Sequence, residues 1–280
     1  MFSDVLLTVD FDRTLTAPDS SIPQRNLEAI KYFIDNGGSF TLNTGRSINT
    51  MGQLLHTLPV NVPFLLYNGS AAYHQGELIH CREIELDVWE MVEQIHAEFP
   101  EINVEIQSEG AHYLYHPTPL YRQFYDALGW QHRPAVPGTP IKPFLKIALF
   151  GAVREMNVGH FFTGDSQEIA RMDHIQKWLL EKYDGKISVF RAAPRIIDIH
   201  TAGVNKGIAA RTLQKQLGKK ILVCVGDAEN DILMLDNADY AFCPADAILA
   251  KRYENVCPCA DGAVADVIYK KIPDILHIQP

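Results

Sequence analysis

A chain of 280 residues, 47% hydrophobic and 21% charged, has room for one large domain or two ordinary ones. Its composition is that of a globular protein rather than a disordered or fibrous one. The formal net charge of −9 argues against a nucleic-acid partner, whose binding surface would be basic, yet allows a small anionic substrate held by local groups. No stretch approaches the ~18 apolar residues of a membrane helix, and the N-terminus MFSDVLLTVDFD has no basic leader, so neither membrane nor secretion is expected.

The first 70 residues alternate short apolar runs with helical stretches. VLLTV (5–9) predicts a strand, and IPQRNLEAIKYFIDNGG places Leu27, Ile30, Phe33 and Ile34 at helical spacing before the stop at Gly37. SFTLNTGR is the next strand and loop, followed by a helical segment to Leu58 and by PFLLYNG, whose Asn68-Gly69 predicts a turn. From about residue 83 the rhythm changes. The helical stretches LDVWEMVEQIHAEF, TPLYRQFYDALGW and Gln167 to Tyr183 stand among the alternating strands INVEIQSE, AHYLYH, FLKIALFGA, KISVFRA and RIIDIHT. The opening texture then returns as VNKGIAARTLQKQLG (helix), KKILVCVGD (strand), ENDILMLDNA (helix) and YAFCP (strand). NVCPC and an amphipathic turn around Val267 and Ile268 close the chain. The expected fold is α/β, a doubly wound Rossmann-like parallel-sheet core (1–82 and 202–280) with an inserted α+β domain (83–201). Such a layout leaves a cleft between the parts, a usual place for a small-molecule site.

The five cysteines are scattered, and Cys224 and Cys243 lie inside apolar runs, which reads as reduced thiols in a cytoplasmic setting. Cys257 and Cys259 have no second ligand pair with which to build a zinc site. In AHYLYH, His112 and His116 are spaced to share one face of a strand with no carboxylate evident nearby. A sheet surface facing solvent or substrate is expected there rather than a metal site. Gly164-Asp165-Ser166 has no second acid at a useful spacing and predicts a helix N-cap. The aromatics of PLYRQFYDALGW sit at helical spacing and predict core.

Ligands of an open parallel sheet bind beyond the carboxyl ends of its strands. Four polar signatures fall at such places: Asp10-Phe11-Asp12-Arg13-Thr14, Asn43-Thr44-Gly45-Arg46, Asn205-Lys206-Gly207 and Gly226-Asp227-Ala228-Glu229-Asn230-Asp231. Asp10, Asp227 and Asp231 brought together, with Asp12 close by, would repel one another unless cations compensate them. Oxygen donors without His or Cys favour a hard ion such as Mg²⁺, and Lys206 supplies a second positive charge. Thr44 offers a hydroxyl and nearby backbone N–H groups suited to phosphate oxygens. Asp227 and Asp231, four apart, are expected to share a face of the first helical turn after the strand. Cation, lysine and hydroxyl around a carboxylate nucleophile make a phosphoryl-transfer arrangement.

DFDRTLT, NTGR, NKG and GDAENDILML, in this order, resemble the four motifs of the haloacid dehalogenase superfamily. They are most similar to those of the Cof-type phosphatases, whose large α/β cap is inserted between the second and third motifs. The resemblance makes 83–201 the cap and implies a role for each matching residue. Asp10 would be the nucleophile. Asp12 would protonate the leaving alkoxide and then deprotonate the hydrolytic water, its carbonyl joining Asp10 and Asp227 as Mg²⁺ ligands. Thr44, Gly45, Lys206 and Asn230 would hold the phosphoryl group, with Asn230 turned to it or to Lys206. Thr14 would brace the loop, and Asp231 would act on the metal's waters or orient Lys206. Asn68-Gly69 resembles the NG that ends the third core strand of these proteins, near the cap hinge.

Arg13 departs from the family's usual glycine and either reaches solvent or contacts an anionic substrate. Arg46 is a second candidate substrate contact. The implied activity is Mg²⁺-dependent hydrolysis of a small phosphorylated metabolite, a sugar phosphate first, through an aspartyl-phosphate. A phosphomutase and a non-catalytic phospho-ligand-binding module are the alternatives.

Overall fold

The computed structural model describes residues 1–52, 54–153 and 163–278. In chain order, β1 (Val5–Val9) leads through a wide turn over Phe11–Leu15 to α1 (Gln24–Asp35) and β2 (Ser39–Leu42). The one-turn helices α2 (Ile48–Met51) and α3 (Leu54–Thr57) precede β3 (Phe64–Leu66), β4 (Ala71–His74) and β5 (Glu77–Cys81). The middle of the chain holds α4 (Val88–Glu98), β6 (Asn103–Gln107), β7 (His112–Tyr115), α5 (Pro119–Ala127), β8 (His132–Pro134), β9 (Lys146–Phe150), α6 (Ser166–Lys182), β10 (Ile187–Ala193) and β11 (Ile196–Thr201). The last part holds α7 (Lys206–Gln216), β12 (Ile221–Val225), α8 (Ile232–Asp236), β13 (Tyr240–Pro244), β14 (Glu254–Val256), α9 (Ala263–Asp266) and α10 (Ile272–Leu276). The chain divides into two units, Met1–Gly45, Gln53–His80 and Asn205–Pro280 in the first, Arg46–Gly52 and Cys81–Val204 in the second.

The first unit is built on a five-stranded sheet in the order β14-β13-β12-β1-β2, parallel throughout. A parallel bridge from Asn43 to Leu65 lays β3 alongside β2. β1 pairs on both sides, and all five of its residues are buried, as a central strand covered on both faces requires. Leu6, Leu222 and Cys224 pack on one face against Ala210 and Leu213 of α7 and Met234 and Leu235 of α8. On the other side α1 joins α9, the Asn26 carboxamide oxygen accepting from Ala265 N–H at 2.9 Å. The architecture is the expected doubly wound core.

The second unit carries a six-stranded sheet in the order β10-β11-β9-β6-β7-β8. The residues of β6, β9 and β11 alternate between its faces. Val104, Ile106, Ile147, Leu149, Ile197 and Ile199 join Val92 and Ile95 of α4 and Met172, Ile175 and Leu179 of α6 in one apolar core. The opposite face mixes a second apolar cluster, Leu114 with Tyr121, Phe124 and Tyr125 of α5, and buried polar groups. The aromatics of PLYRQFYDALGW are therefore core, as their spacing predicts. Asp165 is the N-cap of α6, accepting from Glu168 N–H while the Glu168 carboxylate reaches back to Asp165 N–H. All five cysteines are free, and Cys259 lies with its Sγ 3.3 Å from Asp246 Oδ2.

The reading of AHYLYH is corrected. His112 and His116 do not share a strand face, because His116 lies beyond the end of β7 with φ +42° and stacks on His96. His112 is not on a surface, being 1% exposed, and it does have a carboxylate: its Nδ1 lies 2.9 Å from Glu105 Oε1. Its Nε2 lies 2.7 Å from Ser47 Oγ, and that oxygen also accepts from Thr50 N–H to cap α2. The Ser–His–Glu order resembles a nucleophile–base array, but all three residues are buried and the hydroxyl is engaged as a helix cap. The array ties α2 to the sheet of the second unit.

Candidate active site

Asp10, Thr44 and Asp227 sit just beyond the ends of the parallel strands β1, β2 and β12, where the backbone pairing stops. Asp10 N–H still donates to Val225 O, and Asn43 N–H to Val9 O, so the chain leaves β1 and β2 in register. Directly beyond Asp10 the backbone turns sharply. Asp12 is extended (φ −74°, ψ 126°) and Arg13 is left-handed (φ +57°, ψ 12°). The turn closes with Leu15 N–H on Asp10 O and Arg13 N–H on Thr16 Oγ1. The left-handed residue explains why a glycine suits this place and why Arg13 stands out there. The Arg13 side chain is exposed, and its charge is among the lesser influences that lower the Asp227 carboxyl.

Lys206 is the first residue of α7. Asn205 caps the helix, its Oδ1 accepting from Ile208 N–H at 2.9 Å. The Lys206 ammonium, 1% exposed, donates to Asp10 Oδ1 at 2.5 Å and to Asp231 Oδ1 at 2.7 Å. Asp227 ends the loop after β12, and Thr14 Oγ1 donates to its Oδ1 at 3.1 Å. Asp227 and Asp231 do not stack on one face of a helix. Asp227 precedes the helical turn, and Asp231 folds back over it, its Oδ2 accepting from Asp227 N–H and Ala228 N–H at 3.1 Å each. The proximity expected from helical spacing thus arises from capping.

Asp10, Asp227 and Asp231 present carboxylate oxygens within 4.8 Å of one another, the only such cluster of metal-ligating side chains among the described residues. Burial pushes the Asp10 carboxyl well above the usual carboxylate range; Lys206 opposes this, while the charges of Asp231, Asp227 and Asp12 add to it. Asp227 is pushed up to about 7 by burial and then by Asp231, against Lys206 and the Thr14 hydrogen bond. Burial works against the Lys206 ammonium, yet the carboxylates of Asp10 and Asp231 hold its pKa above the ordinary lysine range. One buried ammonium therefore faces three acids, and the site is short of positive charge.

Thr44 is buried at the end of β2, its N–H on Leu65 O, and Gly45 follows it. Arg46 begins the segment that packs with the second unit. Asn230 is turned neither to Lys206 nor to Asp10; its Nδ2 donates to Asn68 Oδ1 at 3.2 Å. Two further contributors stand in the quoted motifs without an expected role in the site. Asn43 donates from Nδ2 to the Lys206 carbonyl at 2.8 Å, and Asn68 meets Asn230 across the site. Asn43 opens NTGR and Asn68 opens the NG after the third core strand, but an Asn directly after an apolar strand by itself marks only a turn.

A family model described as haloacid dehalogenase-like hydrolase matches residues 7–268. The HMP-PP phosphatase of Escherichia fergusonii is 24% identical over 254 residues, covering 89% of this chain and 87% of that protein. A haloacid dehalogenase-like hydrolase structure from Bacteroides thetaiotaomicron matches with a TM-score of 0.74 at 18% identity, over 95% of this chain and 98% of the other. A HAD subclass IIB sugar phosphatase structure matches with a TM-score of 0.74 at 19% identity, over 98% and 99%. The two structures carry a likeness of fold.

Proposed function

The chain belongs to the haloacid dehalogenase-like hydrolase family, and we propose that this enzyme is a Mg²⁺-dependent phosphatase of small phosphorylated metabolites, sugar phosphates first, acting through an aspartyl-phosphate at Asp10. The observation that carries the reading is the buried array of Asp10, Lys206, Asp231 and Asp227 at the carboxyl ends of β1 and β12.

The residues fit a hard divalent cation. Asp231 has both oxygens engaged, by Lys206 and by two backbone N–H groups. Asp10 and Asp227 each engage one oxygen, with Lys206 and Thr14, and have a second to offer. With the Asp12 carbonyl they form an all-oxygen donor set, as Mg²⁺ prefers. Bound there, Mg²⁺ would supply charge neutralisation on the transferring phosphoryl group.

Asp10 attacks phosphorus with a carboxylate oxygen, forming the acyl-phosphate bond while the ester P–O bond breaks. Asp12, two residues beyond the nucleophile, gives its proton to the leaving alkoxide. It then takes a proton from the water that attacks the phosphorus of the acyl-phosphate, releasing inorganic phosphate and restoring Asp10. The Lys206 ammonium, the Thr44 hydroxyl, the Gly45 N–H and the Asn230 carboxamide hold the phosphoryl oxygens. Asp231 keeps Lys206 in place, and Thr14 keeps Asp227. Arg13 and Arg46 are offered to the rest of the substrate, and the second unit is the cap that selects it.

The sugar phosphatase among the solved neighbours supports the substrate class, and the relative named for HMP-PP adds that compound to any panel. Five free cysteines support a cytoplasmic setting. Among the described residues no helix is long and apolar enough to cross a membrane, and neither a membrane nor nucleic acid is proposed as a partner. The test is phosphate release from a panel of sugar phosphates, nucleotides, FMN, pyridoxal phosphate and HMP-PP, with and without Mg²⁺, beside Asp10→Asn. Release that needs Mg²⁺ and vanishes in Asp10→Asn is expected. No release from any compound, or equal release by Asp10→Asn, overturns the reading, and isomerisation without free phosphate would make the enzyme a mutase.

A further inference from the structure

Between β3 and β4 the backbone passes through three consecutive left-handed residues, Tyr67 (φ +52°), Asn68 (φ +54°) and Gly69 (φ +92°). Tyr67 and Asn68 are 0% and 1% exposed. Left-handed backbone is unfavourable for a side chain such as tyrosine, better tolerated by asparagine, and free only for glycine. Tight hairpin turns use left-handed pairs, usually of Asn, Asp or Gly; here one member is the buried Tyr67, and strain held in a buried turn points to what the turn contacts.

The turn meets three of the four loops that build the site. Asn68 N–H donates to Thr44 O at 2.9 Å. The Asn68 Oδ1 accepts from Asn230 Nδ2 at 3.2 Å. Gly69 lies so close to the start of α7 that a Cβ there would sit 2.9 Å from Asn205 O and 2.7 Å from the Ala209 Cβ. The Thr44 loop, the helix that begins with Lys206 and the loop of Asn230 therefore converge on one turn.

We propose that Asn68 is a positioning residue of the phosphoryl site. Its left-handed backbone seats the Thr44 loop, and its side-chain oxygen fixes the Asn230 carboxamide. One Asn230 N–H is then engaged by Asn68 and the second is left to donate to the phosphoryl group. This rests on the phosphatase reading, so wild-type turnover must be seen first; its absence would count against that reading and not against the role of Asn68.

The experiment is a double-mutant cycle between Asn68 and Asn230, with kcat and KM measured on one turned-over substrate and the melting temperature recorded for every variant. Asn68→Gly keeps the left-handed backbone and removes the carboxamide. It is expected to melt close to wild type and to lose roughly 10- to 100-fold in kcat, the scale of one misplaced hydrogen-bond donor. In that background Asn230→Ala should add little further loss. Asn68→Asp also accepts the left-handed conformation and keeps the Oδ1 acceptor, so Asn230→Ala should regain its full effect there. Wild-type kcat in Asn68→Gly overturns the proposal. So does an Asn230→Ala loss of the same size in the glycine and wild-type backgrounds. If Asn68→Gly does not fold, the aspartate arm decides: a missing Asn230→Ala effect in that background also overturns it.

Discussion

Arg13 sits between the two carboxylates of the first loop and the hydroxyl of Thr14, at φ +57°. Holding an L side chain in that region disfavours the native state by about 1–2 kcal/mol, whereas a glycine there would enlarge the unfolded ensemble by about 0.5–1 kcal/mol. The two terms nearly offset. Arg13→Gly is therefore expected to keep its melting temperature or raise it slightly, and to hydrolyse an aryl phosphate as wild type does. Arg13→Val, β-branched at the same φ, should lose about 1–2 kcal/mol in urea unfolding. A stable valine variant would mean that the turn is not held in the left-handed conformation. Asp12, its neighbour, belongs to a chemical rather than a conformational test. Asp12→Ala should lower kcat by roughly 10²- to 10⁴-fold on alkyl phosphates, whose leaving groups need a proton. The loss should be far smaller on p-nitrophenyl phosphate, whose leaving group does not. Equal losses on both would remove Asp12 from the role of acid.

Among the elements, the polar face of the second sheet shows best where sequence reading succeeds and where it stops. INVEIQSE reads as a strand because Val104 and Ile106 alternate with Glu105 and Gln107, and β6 spans those residues. Gln107 Nε2 donates to Glu105 Oε1 at 2.5 Å, but the other partners of the pair are not local. Gln107 stands opposite His112 through the register of β6 on β7, and Tyr121 of α5 donates to Glu105 Oε2 at 3.1 Å. Burial alone would raise the Glu105 carboxyl, but His112, Tyr125 and Lys146 hold it down at about 2. The motifs of the first unit were legible for the opposite reason. Each lies at a strand end or a helix start whose type can be read from a few neighbouring residues, whereas the Asn68–Asn230 and Glu105–His112 contacts exist only after the sheets have formed.

His200 of β11, on the same polar face, gives this element a pH signature. Burial first, and then the Lys146 charge, lower its imidazole to about 3, while the Leu145 carbonyl works the other way. The ring is neutral in the fold and gains a proton in the unfolded chain below pH ~6.5. Its contribution is thus complete above pH ~6.5 and lost as pH falls towards 3, with a slope of up to about 1.4 kcal/mol per pH unit. Glu105 is silent in the upper part of that window, because its contribution fades only as pH falls from the unfolded carboxylate range through about 2. Urea unfolding of wild type and His200→Gln between pH 7 and 5 should therefore show a shallower acid-side decline in the variant, and parallel curves would refute a neutral buried His200.

At the scale of the whole molecule, the first unit folds around a charge deficit. Asp10, Asp227 and Asp231 are buried against a single ammonium, so the metal-free fold carries a repulsion that a bound cation would remove. A ligand that binds only the native state stabilises it by about 2.7 kcal/mol at a hundredfold excess over its Kd, worth several degrees in a domain of this size. Raising Mg²⁺ should therefore raise the melting temperature of the first unit along a saturating curve, and EDTA should reverse the gain. Asp227→Asn separates charge from shape, because the amide oxygen can still accept the Thr14 hydroxyl that now reaches Asp227 Oδ1 at 3.1 Å. Without metal the variant should melt no lower than wild type, since one of the crowded acids has become neutral. With Mg²⁺ its gain should largely disappear. An undiminished Mg²⁺ shift in Asp227→Asn would place the stabilising ion elsewhere on the protein. A large loss of stability without metal would show that the Asp227 carboxylate holds the loop by more than its hydrogen bond to Thr14.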